Sequence, residues 1–203
     1  MLQTRALFSL MKSDQELVTA FTSGSRQAGE ELVDRYYATV LGFFRNKAPT
    51  ASHDLAQQTF AECFSGLKRL RDASRLRSFL FGIASNLLRA HYRSRSGSPL
   101  DFTVASAVDL DPSPSAVVAQ NQRQQRVIDG LRRIPVDYQL VLELHYWEEL
   151  SGPDIADVLG LPLGTIKTRI RRGRELLAAV LAEDAAKAVQ ADDLHHRLAA
   201  ARE

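Results

Sequence analysis

The chain is poor in the residues that build many functional sites. Its 203 residues include one cysteine, Cys63, so no intramolecular disulfide and no multi-cysteine zinc site can form, and a reduced cytoplasmic setting is expected. No stretch approaches the ~20 apolar residues of a membrane helix, so no membrane insertion is expected. The first residues, MLQTRALFSLMK, lack the basic start and long apolar run of a secretory leader. Strand-like alternation is missing over any useful length, and with it the strand-to-helix setting of a phosphate loop. His53 and Cys63 stand on different helical turns without further ligands, and His195-His196 falls in a polar tail. No acid–base or nucleophile set converges. An enzyme is therefore the weakest reading, and neither metal nor cofactor is expected. Excess charge is absent too: 26 Lys and Arg oppose 24 Asp and Glu, a net +2. That is too little to imply nucleic acid, so the distribution of charge must carry the argument.

What is present is helical patterning. Hydrophobic content of 45% and charged content of 25% are ordinary for a globular chain. Ser13-Asp14-Gln15-Glu16 has the form of a capping box, with a short helix ending near Ser23-Gly24. The spacing predicts a helix from Arg26 to Lys47, with an apolar stripe of Leu32, Val33, Tyr36, Tyr37, Val40, Leu41 and Phe44, ended by Pro49. Ser52 is expected to cap the next helix. Leu55, Ala56, Thr59, Phe60, Cys63, Phe64 and Leu67 form its inward face, and Asp54, Gln57, Gln58 and Glu62 its outer one. Lys68 to Arg77 reads as a basic loop. A long helix from Ser78 follows, apolar at Phe79, Leu80, Ile83, Ala84, Leu87 and Leu88, then basic and aromatic at Arg89, His91, Tyr92, Arg93 and Arg95. Residues 97–120 carry Pro99, Pro112, Pro114 and the acids Asp101, Asp109 and Asp111, the composition of a flexible linker with little helix.

Beyond the linker, a helix near Asn121 stops before Pro135. Pro135 can open a core helix, VDYQLVLELHYW, as a first-turn residue. Ser151 and Asp154 start another short helix. Gly160 sits where a turn needs positive φ, and a last helix runs from about Pro162 to Ala182. Ile155, Ala156, Leu159, Leu161, Ile166 and Ile170 would lock these two helices together. Lys167, Arg169, Arg171, Arg172 and Arg174 crowd the second one, with no acid until Glu175. That is a helix-turn-helix, whose second helix enters the DNA major groove. The expected fold is all-α: two helical domains, 13–96 and 121–182, joined by the linker 97–120 and followed by a tail, 183–203.

Several segments resemble the extracytoplasmic-function (ECF) group of bacterial RNA polymerase sigma factors in the sigma-70 family. Asp154-Ile155-Ala156, Leu159-Gly160, Gly164-Thr165-Ile166-Lys167-Thr168-Arg169 and Gly173-Arg174-Glu175-Leu176-Leu177 are similar to that group's C-terminal reader. Asp54-Leu55-Ala56-Gln57-Gln58-Thr59-Phe60 resembles its polymerase-docking segment, and Phe79-Leu80-Phe81-Gly82-Ile83-Ala84-Ser85-Asn86 its strand-capturing helix. Phe79 replaces the usual tryptophan, Gly82 and Ser85 stand where arginine is common, and Ala90 where an aspartate is frequent. The resemblance implies a subunit that directs core RNA polymerase to promoters and helps melt them, without bond chemistry of its own. It implies polymerase contacts to clamp coiled coil and flap, with Asp54, Gln57 and Gln58 on the docking face. It implies minus-ten contacts by Arg69, Arg71, Asp72, Ala73, Ser74, Arg75, Arg77, Asn86, Arg89, Tyr92 and Arg93. Minus-thirty-five contacts fall to Thr165, Lys167, Thr168, Arg169, Arg171, Arg172 and Arg174. An anti-sigma partner is also implied, and the acidic linker is either a nucleic-acid mimic or a solvated tether. A self-sufficient helix-turn-helix regulator is the alternative; it would bind duplex DNA alone with a steep salt dependence.

Overall fold

The computed structural model describes residues 12–70, 72–96, 99–115, 117 and 121–200, with the backbone path alone at 188, 189 and 191–200. Helix α1 (Asp14–Thr22) begins at the expected capping box: Ser13 Oγ accepts from the Glu16 amide at 3.2 Å, and the Glu16 carboxylate accepts from the Ser13 amide at 2.7 Å. Gly24, at φ +103°, turns the chain, and Ser25 caps α2 (Arg26–Arg45). That helix stops two residues short of Lys47, because Asn46 and Lys47 turn into the protein and are fully buried. A 3₁₀ turn, Pro49–Ala51, leads into α3 (Ser52–Gly66). Ser52 does not cap this helix. It is the first helical residue, and its Oγ donates to the Pro49 carbonyl at 2.9 Å. Two further 3₁₀ turns, Leu67–Arg69 and Ala73–Arg75, cover the basic loop, and α4 (Leu76–Ser96) begins two residues before Ser78.

The linker contains one helical turn, α5 (Ala107–Leu110), capped by Ser106. Its composition predicts little helix, yet it is strapped to the protein. Phe102 and Ala107 are buried, and the amides of Val136 and Asp137 donate to the carbonyls of Ala105 and Phe102 at 3.0 Å. Asn121 caps α6 (Gln122–Arg133). Pro135 serves as the cap of α7 (Val136–Tyr146) rather than as its first helical residue. Helix α8 (Gly152–Leu159) starts on Ser151, whose Oγ accepts from the Asp154 amide, and ends on Gly160 at φ 65° and ψ 37°. Helix α9 (Leu163–Ala200) continues unbroken into the tail. Among the described residues there is no strand, only an isolated bridge between Ser106 and Pro135.

Helices α1 to α4 pack on one another, as do α6 to α9, and α4 also lies against α8. One apolar core crosses both halves. Phe44, Leu80, Phe81, Ala84 and Leu88 belong to the same buried cluster as Val136, Leu140, Leu144, Ile155 and Val158. A smaller cluster, Leu131, Ile134 and Leu142, closes under α9.

Between the halves lies a buried polar knot. The Lys47 ammonium pairs with the Glu143 carboxylate, both out of solvent, and also sits 3.7 Å from the centroid of the Phe43 ring. Glu143 Oε1 accepts from Asn46 Nδ2 at 2.6 Å and from Gln139 Nε2 at 2.8 Å. Arg132 donates to the Asn46 carbonyl and to the Asp111 carbonyl, each at 2.6 Å. The Tyr92 hydroxyl donates to the Lys47 carbonyl at 2.8 Å. Burial pushes the Lys47 pKa below the usual lysine range, against the pull of Glu143.

Two outcomes are expected in urea and thermal unfolding. Lys47→Met leaves Glu143 buried and unpaired and lowers stability by about 3 kcal/mol, whereas Lys47→Met with Glu143→Gln recovers most of the loss. Gly160→Ala meets no atom within 4 Å, so only its left-handed backbone resists. It costs ~1 kcal/mol and lowers the melting temperature by roughly 2–4 °C.

Candidate nucleic-acid interface

The helix-turn-helix is built from α8, the Gly160 turn and the start of α9. Ile155, Val158, Leu159 and Ile166 are buried between the two helices and the core. Beyond Gly160, the Leu161 amide donates to the Ala156 carbonyl at 2.9 Å. The Pro162 carbonyl then accepts from the Thr165 and Ile166 amides as α9 begins. This fixes which side chains of α9 face outward. Lys167, Thr168, Arg171, Arg172 and Arg174 are exposed, and Thr165 is half-buried. Arg171 and Arg172 share Glu175, at 2.6 and 3.2 Å, and those bonds hold the Glu175 carboxyl below its usual range. Arg169 differs from its neighbours. It is mostly buried, and its Nη2 lies 2.8 Å from Asp137 Oδ2. Gly173 packs with its Cα side against Leu142 and Tyr138, where an added Cβ would lie 3.2 to 3.3 Å from their side chains.

In the N-terminal half, Asp54, Gln57 and Gln58 are exposed on one face of α3, opposite Leu55, Ala56, Thr59 and Phe60, which are buried. Three- and four-residue spacing puts the polar trio side by side. Beside it, His53 Nδ1 lies 3.2 Å from the Tyr37 hydroxyl.

The proposed strand-capturing surface is less uniform. Arg69, Asp72, Ser74, Arg75, Asn86 and Arg93 are exposed, and Ala73 is half-buried. The Asp72 carboxylate accepts from the Ser74 amide at 2.9 Å and its hydroxyl at 2.6 Å, which sets the loop's shape and holds that carboxyl below its usual range. Arg71 lies outside the described residues. Phe79 is half-buried above Gly66, where a Cβ would stand 2.7 Å from its ring. Phe79, Ile83, Gly82 and Asn86 line a cleft with Leu70 and Arg75, and Asp157 and Val158 of α8 form its far wall. Tyr92 does not belong to this surface. It is almost wholly buried, its hydroxyl bonded to Lys47, its ring 6.1 Å from Phe102, and burial raises its pKa.

Three cationic side chains of this surface, Arg75, Arg77 and Arg89, have acidic partners that reading the sequence missed. Arg89 donates to Asp137 at 3.0 Å and Arg77 to Glu148 at 3.1 Å. Arg75 pairs with Asp157 and, at 3.5 Å, with Asp154. Burial raises the Glu148 pKa, and the bond from Arg77 opposes it. Asp137 and Asp154 sit in the first turns of α7 and α8, where their local role is a favourable dipole; Glu148 follows α7, and Asp157 lies in the last turn of α8. Nothing in their spacing points to an arginine some 48 to 82 positions away in the chain. Among the described residues no group of His, Cys, Asp and Glu could hold a metal, and no helix is long and apolar enough to cross a membrane.

Comparison with known proteins agrees with this geometry. Residues 32–97 match Sigma-70 region 2, and residues 124–177 match Sigma-70, region 4. The RNA polymerase sigma-H factor of Pseudomonas aeruginosa is 30% identical over 183 residues, 84% of this chain and 94% of that protein. The ECF RNA polymerase sigma-E factor of Haemophilus influenzae is 27% identical over 180 residues, 81% of this chain and 93% of that protein. The structure of CnrH in complex with the cytosolic domain of CnrY superposes with a TM-score of 0.63 at 27% identity, covering 85% of this chain and 99% of that one. The sigma factor RpoE of Bartonella quintana, solved with the anti-sigma factor NepR, shares the fold at a TM-score of 0.56 and 20% identity, over 75% of this chain and 95% of that one. With both sigma regions in order and a relative at 30% identity over nearly its whole length, the chain belongs to the sigma-70 family of RNA polymerase sigma factors, within the extracytoplasmic-function group.

Proposed function

We propose that this sigma factor reads a promoter at two points and grips the polymerase at a third, with each task on a separate face. The protein directs core RNA polymerase to promoters for transcription initiation and is not an enzyme. The observation that supports the division of labour is the sorting of exposed polar groups: an acidic and amide trio on α3, a basic set on α9, and Asn86 with basic neighbours around the α4 cleft.

Asp54, Gln57 and Gln58 dock on the polymerase clamp coiled coil. Lys167, Arg171, Arg172 and Arg174, with Thr165 and Thr168, meet the minus-thirty-five element, most of them at phosphates and one or two at base edges. Asn86 can both donate and accept at a base, and the cleft beside Phe79 offers an apolar wall for an unstacked one. Arg69, Arg75, Arg77, Arg89 and Arg93 track the strand backbone, and Asp72, Ala73 and Ser74 form the loop that closes on it. The domain limits 13–96, 97–120 and 121–182 follow this division. Relatives of the fold are held by anti-sigma factors, and this chain takes such a partner in the cytoplasm, where its polymerase works.

Transcription in vitro tests the reading. With core polymerase, templates carrying start sites mapped after overexpression should give specific initiation. If none does while a control sigma factor initiates, the assignment is wrong. Arg172→Ala should weaken minus-thirty-five recognition by ~1–3 kcal/mol and leave core binding intact. Asp54→Arg with Gln57→Ala should lower core binding while the chain keeps its helical content. If both variants merely unfold, the assignment of exposed roles fails.

A further inference from the structure

No promoter or polymerase contact falls on helix α1. Its residues 14–22 precede the segment that matches Sigma-70 region 2, yet they are held hard against the capture loop. Asp14 accepts from Arg35 Nη1 and from the Tyr36 hydroxyl, Arg35 Nη2 donates to the Lys12 carbonyl at 2.6 Å, and Leu17 and Val18 are buried. Thus anchored on α2, the helix touches both 3₁₀ turns of the loop, Leu67–Arg69 and Ala73–Arg75. A groove of about 390 Å³ runs between helix and loop. Gln15, Thr19 and Thr22 share one face of α1 by three- and four-residue spacing, and Lys68, Leu70 and Asp72 form the facing wall. Leu70 also lines the cleft that holds Asn86, so groove and cleft adjoin across one side chain.

The groove is rich in acceptors. Thr19 Oγ1 donates to the Gln15 carbonyl at 2.7 Å and Thr22 Oγ1 to the Val18 carbonyl at 2.9 Å. Each hydroxyl proton is thus used within the helix, and the oxygen is left to accept. Asp72 receives both Ser74 bonds on Oδ1, which leaves Oδ2 to accept. The donors are the Gln15 amide and the Lys68 ammonium, both exposed, and Lys68 has no carboxylate partner among the described residues. A base that suits this set must bring donors of its own. Guanine alone has two kinds on its pairing edge, N1–H and the N2 amino group, beside the O6 acceptor; adenine and cytosine bring one amino group and thymine one N–H. We propose that the groove between α1 and the capture loop is a second nucleotide site, selective for an unpaired guanine next to the base taken by the Asn86 cleft. Thr19, Thr22 and Asp72 accept from its two donor groups, Gln15 donates to O6, and Lys68 holds the phosphate. The inference rests on the reading of the loop and α4 as strand-capturing. It makes α1 a reader as well as a brace, and it couples the fit of one base to that of its neighbour through the shared loop.

The test uses holoenzyme assembled from core polymerase and the full chain, on a template whose start site has been mapped. Each non-template position around the minus-ten element carries guanine or inosine in turn; inosine lacks only the N2 amino group. Wild type should form open complexes at least about fivefold better with guanine at one position. Thr19→Val with Thr22→Val keeps the shape of the wall and removes two acceptors; it should abolish that difference and leave core affinity unchanged. Lys68→Ala should weaken binding of a single-stranded promoter oligonucleotide to holoenzyme whatever the base, and flatten log K against log salt by about 0.7 unit. A wild-type protein that nowhere separates guanine from inosine overturns the proposal. So does a threonine variant of wild-type helicity that separates them as wild type does, or one that loses core affinity at unchanged base preference, which would give the wall to polymerase. If the threonine variant does not fold, an unchanged salt slope in Lys68→Ala overturns it. Failure of the strand-capturing reading looks different: Asn86→Ala would then leave open-complex formation unchanged.

Discussion

The Lys47 ammonium and the Glu143 carboxylate have each other, the face of the Phe43 ring and a few side-chain dipoles in place of water. A charge so placed is costly unless its partner is held in position, so everything around the pair is arranged to hold it. Helix α2 ends early so that Asn46 and Lys47 can turn inward. Arg132 ties down the Asn46 carbonyl and Tyr92 the Lys47 carbonyl, while Gln139 braces Glu143 from one turn away. The linker supplies Asp111 and Ser113 carbonyls to Arg132. One ion pair therefore organises the end of one helix, the path of the linker and the placement of α7 against the N-terminal half.

That constraint also explains the character of the surface between the halves. An apolar seam would be permanent in water, because separation would expose it at a cost that grows with area. Here the seam mixes apolar contact along α4 and α8 with arginine–carboxylate pairs at its margin. Arg75 and Asp157 are substantially exposed, where screening by solvent and salt leaves little net attraction. Arg89 and Asp137 are mostly buried and hold more firmly. The grading from exposed to enclosed fixes the alignment of the two halves, while the shared apolar core supplies most of the contact between them.

Local structure was legible in the sequence because its causes are local. The Ser13–Glu16 box, the Asn121 and Ser151 caps and the Gly160 turn each act within a few residues, and the stripe on α3 placed Leu55, Thr59, Phe60 and Cys63 inside. Ser52 and Pro135 were off by one position, as helix starts commonly are. Tyr92 was legible as well, and its basic neighbours hid it: Phe81, Ala84, Ser85, Leu88 and Tyr92 are all buried at helical spacing. The arginine partners were not legible. An exposed arginine and an arginine turned onto a distant carboxylate have the same sequence signature. Arg169, three residues after Ile166 and four before Gly173, falls on the inward side of α9 and Arg171 on the outer one; that the inward arginine meets Asp137 depends on the position of α7, which no spacing within α9 encodes.

Helix α9 spans 38 residues without interruption, so the segment that faces the minus-thirty-five element and the C-terminal tail form one rod of roughly 57 Å at 1.5 Å per residue. Arg133 grips that rod near its middle through Glu183 and Asp184, and Gly130 lets Leu177 and Leu181 lie close against α6. The rod is clamped twice, by α8 and α7 near Ile166 and Gly173 and by α6 near its middle, so the orientation of the DNA-facing turns is set by contacts that reach well beyond them.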